Sequence, residues 1–345
     1  MPADAADTPK AFSDRSCCSR IFGLLSAQEL IPQDSHCLLA VSGGLDSMVL
    51  LDFFRRFAGK KYRAGFTVAH LDHGLREDAA AVAAWLGETC AADGVTCVSQ
   101  RIEIRDLQRQ SAQSSLEAVA RQARYDWLEQ TALAQGCDRV VTAHSASDQF
   151  ETILMRLIRG GIAGLGGMAP QRRLGQVRLI RPLLGLARAE LEAYAASRRL
   201  QWREDPSNQA PEFFRNRVRA ELAPWLRREN PALEQTLAEQ AAIWRDEQDW
   251  LQQQAEALFA EHVSRTDQGL ELSVATLLEL PPALQRRLLR ELLGAHLGAW
   301  KLYSHGHIET IRGLAAGPGA KVLDLPGRLQ VCKQKKTLLF RKSRL

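Results

Sequence analysis

The chain has 345 residues, 46% of them apolar and 25% charged, with a net charge of +5. That is the balance of a globular protein with a core of ordinary size, and the length suggests two domains rather than one. A membrane span and a secretory leader are not expected: there is no run of about 18 apolar residues, and the N-terminus is acidic where an apolar segment would be needed.

Residues 1–20 read as a disordered tail, ahead of one domain over 21–228 and another over 229–345. Seven scattered cysteines without a CxxC pair match no zinc or iron–sulfur spacing and suit a reducing cytoplasm. From Cys37 onward strand and helix patterns alternate. Cys37–Val41 reads as a buried strand, and an apolar-periodic helix runs from Asp46 to about Phe57. Strands at Phe66–His70, Val95–Ile102 and Arg139–Ala143 alternate with helices at Asp78–Asp93, Ser114–Gln135 and Ser147–Ile158. This rhythm predicts an α/β fold, a doubly wound parallel sheet with ligands at the carboxyl ends of its strands. Gly160–Pro170, with five glycines and a proline, reads as a mobile loop. A further strand is expected at Val177–Ile180, and helices at Ala187–Arg199 and Glu212–Arg228, the latter broken or ended near Pro224. After Pro231 the texture changes to a mainly helical second domain: Ala232–His262, Pro282–Leu293 and His307–Leu314, closing in a small β element over Lys321–Phe340.

The string Ser42-Gly43-Gly44-Leu45-Asp46-Ser47 lies between the first strand and its helix. Glycines let backbone N–H groups approach an anion, the helix start adds its positive dipole end, and the two serines add hydroxyls. A carboxylate there, Asp46, makes sense with a cation, Mg²⁺, between it and phosphate. The bland alternative is a glycine turn with a helix cap. The string is neither a Walker A loop nor a dinucleotide GxGxxG.

Four more strings sit at strand ends or on nearby helices: His70-Leu-Asp72-His73-Gly-Leu75-Arg76; Arg121 to Arg124-Tyr125; His144 with Asp148-Gln149-Phe-Glu151; and Asp205-Pro-Ser207-Asn208 followed by Arg215-Asn216-Arg217-Val-Arg219. Arg124 reads as an ion-pair partner as readily as an anion ligand. Asp148 and Glu151, three apart at a helix start, could bind an ammonium or orient a base, or simply complement the helix dipole.

The first string resembles the SGGxDS loop of the ATP pyrophosphatase, or PP-loop, superfamily, and all five together resemble the tRNA(Ile)-lysidine synthetase family over about Cys37–Arg219. The resemblance implies ATP as substrate with Mg²⁺, L-lysine, and a tRNA(Ile) with a CAU anticodon. O2 of the wobble cytidine would be adenylated and lysine would then displace AMP. It implies that Ser42, Gly43, Gly44, Leu45, Asp46 and Ser47 hold the phosphates, with Asp46 on the metal, and that His70 lies near the adenosine. Arg121, His144, Asp148 and Glu151 would surround cytosine and lysine. One departure is Ser147, where many members carry a second aspartate before the glutamine.

No acidic residue lies between Glu151 and Glu190, a stretch with seven arginines, and 318–345 holds eight Lys/Arg against Asp324. With Arg215 and Arg217, these patches predict an RNA backbone as partner, and Arg172 and Arg173 are candidate phosphate contacts. A solvated basic surface is the plainer alternative. Other PP-loop enzymes remain as alternatives, although a 2-thiocytidine enzyme would bring CxxC pairs. So does a non-catalytic RNA-binding protein. No membrane is expected as partner, and a homodimer is compatible with the sequence.

Overall fold

A computed structural model describes residues 14–74, 79–110, 115–160, 165–203, 214–297 and 303–343. Expectations for residues 1–13, for Leu75 and Arg76, for 161–164 and for the Asp205–Asn208 string lie outside them. The described part of the expected tail is corrected: Asp14–Ala27 is a helix (α1) that buries Cys17, Cys18, Ile21 and Leu25. Those positions recur every three to four residues, so they form one apolar stripe. Half of the stripe is cysteine, which reads in a sequence as incidental thiol rather than as core.

The N-terminal sheet is built from β1 (His36–Ala40), β2 (Gly65–Asp72), β3 (Cys97–Arg101), β4 (Arg139–Thr142), β5 (Gln171–Leu174) and β6 (Val177–Ile180). Its order is β3-β2-β1-β4-β6-β5, all parallel except the β5–β6 hairpin. Helices α2 (Leu45–Phe57), α3 (Ala79–Ala92), α4 (Ile104–Gln110), α5 (Leu116–Ala134), α6 (Ala146–Ile158) and α7 (Arg188–Arg198) accompany it. One core, with Leu39, Val49, Phe53, Val68 and Tyr194, lies on one face; the other, with Leu38, Tyr125, Leu128 and Leu179, packs under α5. Leu38 and Leu39 fall into different cores because neighbouring strand residues point to opposite faces. Chain order reverses at β1: β2 and β3 lie on one side, β4 on the other. Such a switch point opens a crevice beyond the strand ends.

The second half of the expected mobile loop is instead pinned. Buried Gln149 accepts from Met168 N–H (2.6 Å) and donates to Met168 O (3.1 Å), Arg156 donates to Gly167 O (2.6 Å) and Arg181 to Ala169 O (2.6 Å). Beyond α7, α8 (Phe214–Arg217), a π-helical turn (Val218–Leu222) and α9 (Ala223–Glu229) lead into α10 (Leu233–His262). Pro224 does not end the helix: the backbone stays helical from Phe214 to Glu229, and the π-helical turn directly before the proline is where the ladder adjusts to its missing N–H.

The chain divides into two compact units at Ile243/Trp244, inside α10. The C-terminal unit holds α11 (Val274–Glu279), α12 (Pro282–Leu297) and α13 (His305–Ala316) with an antiparallel sheet. The sheet comprises β7 (Val263–Thr266), β8 (Gly269–Ser273), β9 (Lys321–Leu325), β10 (Leu329–Lys333) and β11 (Thr337–Lys342), in the order β7-β8-β11-β10-β9. Its core includes Leu272, Leu289, Ile311, Val331 and Phe340. The β element is therefore larger than Lys321–Phe340: the Val263–Ser273 hairpin joins it, with a first strand too exposed to show alternation.

Candidate active site

The loop Ser42–Ser47 leaves β1 at the switch point and enters α2 through Gly44. Gly43 has φ +87°, and a Cβ there would sit 3.1 Å from Val82 Cγ1 and 3.4 Å from Trp85, so both backbone conformation and space call for glycine. The serines tie the loop together. Ser47 Oγ accepts from Gly43 N–H (3.1 Å) and donates to Gly44 O (2.8 Å), while Ser42 Oγ accepts from Gly44 N–H (3.4 Å). Gly43 O accepts from Arg203 N–H (2.9 Å), which fixes the chain before the Asp205 string against the loop.

Asp46 lies on the first turn of α2 and pairs with Arg188 (3.0 Å), one of the arginines of the 151–190 stretch. Burial, with Asp148 adding to it and Arg188 opposing, pushes its carboxyl up to about 6. Asp46 thus has one guanidinium beside it and a second carboxylate, Asp148, within electrostatic reach. His70, from β2, is buried; its Nδ1 lies 2.9 Å from Val41 O, so that nitrogen carries the proton and Nε2 offers a lone pair. Asp72 turns back on its own chain, accepting from Gly74 N–H (2.8 Å).

β4 contributes the second half. His144 Nδ1 lies 2.8 Å from Thr142 Oγ1. Burial, with Arg181, Arg124 and Arg215 outweighing Asp148, pushes its imidazole down to about 3. A neutral His144 is a hydrogen-bonding group at working pH, not a cation. Asp148 is the third helical residue of α6, and its Oδ2 accepts from Ser145 N–H (3.0 Å), so beyond complementing the helix dipole it closes a capping box.

The expected division of labour between the carboxylates and Arg215 is corrected. Glu151 is 2% exposed and both its oxygens are occupied: Arg215 Nε at 2.7 Å, Arg219 Nε at 2.5 Å and Nη2 at 3.1 Å. Arg215 Nη2 also reaches Asp148 Oδ1 at 2.7 Å. Burial notwithstanding, these arginines hold the Asp148 carboxyl below its usual range. Arg215 is thus a partner of buried carboxylates rather than a phosphate contact, and an incoming ammonium must compete with guanidinium groups for Glu151. The pairing is non-local, so helix spacing alone misses it. The one sequence trace of it is the four-residue step from Arg215 to Arg219. Arg219, part of the last of the five strings, and Arg188, one of the seven arginines of the basic stretch, carried no assigned role at this site, and neither did Thr142.

Ser147, the departure from the family pattern, donates to Glu234 Oε1 (2.6 Å), while Glu234 Oε2 holds Arg227 (2.7 Å). A carboxylate at 147 would face Glu234, so serine fits this chain. Arg172 and Arg173 also separate: strand alternation turns Arg172 toward Tyr125, 4.7 Å from its ring, while exposed Arg173 stands opposite Arg178. They do not form one patch. Arg121 lies 5.0 Å above the same Tyr125 ring. Arg217 stacks on Phe214 at 5.6 Å.

Residues 20–226 match the family model of the PP-loop domain, and 272–339 match that of the TilS substrate binding domain. A tRNA(Ile)-lysidine synthase of Gloeobacter violaceus is 40% identical over 311 residues, covering 89% of this chain and 90% of that protein. Those of Dehalococcoides mccartyi (35% identical, 90% of this chain) and Geobacter sulfurreducens (37%, 88%) are longer, and this chain spans 67% and 64% of them. Among solved structures, a U34-tRNA thiolase from Methanococcus maripaludis aligns with a TM-score of 0.56 at 13% identity, over 66% of this chain and 77% of that one. That likeness concerns the fold. The family matches extend through both units and include an ATP-binding PP-loop domain, and on them the chain belongs to the tRNA(Ile)-lysidine synthase family.

Proposed function

We propose that the chain uses ATP to join free L-lysine to C2 of the wobble cytidine in a CAU-anticodon tRNA(Ile). In this reading O2 of the cytidine attacks the α-phosphorus of ATP and pyrophosphate leaves. The lysine ε-amine then attacks C2, gives up its proton, and the C2–O2 bond breaks. AMP departs with O2, and lysidine remains. The observation that carries the reading is the Ser42–Ser47 loop at a sheet switch point, in a chain whose relatives are named for lysidine formation.

Each residue has work in this scheme. The start of α2 and the Ser42 hydroxyl, joined by loop N–H groups that exchange their serine partners, bind the leaving pyrophosphate. His70 Nε2 accepts a hydrogen bond from the adenosine. Neutral His144 suits the exocyclic amine of cytosine, which needs an acceptor. Glu151 and Asp148 orient Arg215 and Arg219 beside the reacting centre, and the lysine ammonium exchanges with one of these guanidinium groups before losing its proton. Asp46, at the start of α2 beside the loop, would hold Mg²⁺, which when bound would neutralise phosphate charge. The C-terminal unit, whose residues 272–339 match a substrate binding model, is assigned to tRNA contact. A cytoplasmic setting goes with this reading, and all seven cysteines are free thiols.

The test separates the two chemical steps. With ATP, Mg²⁺ and the tRNA but no lysine, pyrophosphate should appear and AMP should stay on the RNA; lysine should then release it. Pyrophosphate release that ignores the tRNA, or sulfur transfer to it, would contradict the reading.

A further inference from the structure

We infer that Arg121, Arg124 and Arg172, spread over the ring of Tyr125, form a cradle for one phosphodiester of the bound RNA beside the reacting nucleotide. The inference rests on the RNA-modifying reading above and adds a subsite to it.

The three guanidinium carbons lie 5.0, 5.4 and 4.7 Å from the Tyr125 ring centre. Arg121 and Arg124 come from α5 and Arg172 from the edge strand β5. Arg181, 2% exposed, adds a fourth positive charge beside them, with its Nη1 donating to Ala169 O. Among the described residues none of these four arginines forms an ion pair with a carboxylate, whereas the nearby Arg215 and Arg219 share Glu151 and Asp148. Arginines in a partly buried cluster repel one another, and an aromatic face offsets only about 1 kcal/mol per cation. The strain of like charge is visible in the ring itself. Burial raises the Tyr125 phenol, yet the arginines together bring it below its ordinary range. The cluster is therefore short of an anion, and the forked donors of arginine match paired oxygens.

Position and charge select the anion. Thr142 Oγ1, which lies 2.8 Å from His144 Nδ1, also reaches Ile180 O (3.5 Å), the residue before Arg181, so the cradle adjoins the His144 side of the site. The cradle residues come from α5 and β5 and the Ser42–Ser47 loop from the start of α2, so the two are built from different elements. Arg121 is exposed while Arg124 and Arg172 are half-buried, which leaves the cradle open on one side. A strand of RNA can enter there and present successive charges, where an amino-acid carboxylate brings one.

The test couples single phosphates to single arginines. Binding is measured for a CAU anticodon stem-loop RNA and for copies in which one loop linkage at a time is a neutral methylphosphonate. In the unaltered protein one linkage beside the cytidine should weaken binding about tenfold when neutralised. In Arg172→Gln, binding should start about tenfold weaker, and neutralising that linkage should cost nothing further. Arg121→Gln, at an exposed position that tolerates change, should show the same lost coupling even if the Arg172 variant folds poorly. Linkage effects that are identical in protein and variants would overturn the cradle. So would a raised KM for lysine with unchanged RNA affinity, which would assign the arginines to the amino-acid carboxylate. An unaltered protein that neither binds nor modifies the CAU stem-loop would remove the RNA reading itself, and the cradle with it.

Discussion

Two parts of the site are built in opposite ways. The Ser42–Ser47 loop is one contiguous segment whose glycines and serines bond to one another within six residues. The carboxylate–arginine cluster joins Glu151 and Asp148 of α6 to Arg215 and Arg219, 64 to 68 residues further along the chain. The first carries its geometry in local backbone rules. The second takes its meaning from tertiary pairing: the same carboxylates that could hold an ammonium are saturated by guanidinium groups. A local motif therefore predicts its own geometry, while the pairing within a scattered constellation emerges only in the fold.

The largest expected effect is on the local side. Asp46→Asn should lower pyrophosphate release by about a hundredfold or more, since it removes the charge proposed to hold the cation at the phosphates. Full activity in the folded variant would detach Asp46 from the chemistry. On the non-local side, Glu151→Gln should destabilise the protein by about 3 kcal/mol, because Arg215 and Arg219 then have only the Asp148 carboxylate to share. Denaturant unfolding reads this directly. An unchanged midpoint would mean that the cluster contributes nothing to folding and is free to rearrange around a substrate.

The contrast also explains what the sequence reading reached. The alternating strands and helices, the parallel sheet and the loop were legible because each rests on periodicity or on adjacent residues. Helix α1 was not, since cysteines fill its apolar face, and neither was the Val263–Ser273 hairpin, whose first strand is mostly exposed. Arg215 was read as a phosphate contact because charge along a chain does not reveal which arginine turns inward. Arg172 and Arg173, adjacent in sequence, looked like one patch until strand alternation sent them to opposite faces.

A pH series sharpens the local half. The Asp46 carboxyl is raised from 3.8 to about 6 in the folded state. Between those values the folded state keeps a proton that the unfolded state has lost, so stability falls as pH rises through the window and stays lower above it. Relative to Asp46→Asn, the unaltered protein should lose about 2 kcal/mol between pH 4 and pH 7, and Mg²⁺ should recover part of it. Parallel stability curves for the two proteins would show that Asp46 sits in no such environment. His144, neutral above about 3, should contribute no acidic limb to the activity profile between pH 5 and pH 8.

A smaller effect is expected at Gly43. Gly43→Ala forces a side chain into φ +87° and against Val82, which should cost about 1 to 2 kcal/mol of stability and weaken ATP binding together. Loss of stability with ATP affinity intact would separate the turn from the phosphate site.

The central claim is that this loop and the groups around His144 together modify one base of one tRNA. The direct measurement is to incubate the protein with ATP, Mg²⁺, labelled lysine and bulk tRNA, then digest the RNA and locate the label. The account predicts label on the first anticodon position of the CAU-anticodon tRNA(Ile) alone, and none in the Asp46→Asn variant. Label at a 3′ end, on other tRNAs, or undiminished in that variant would contradict it.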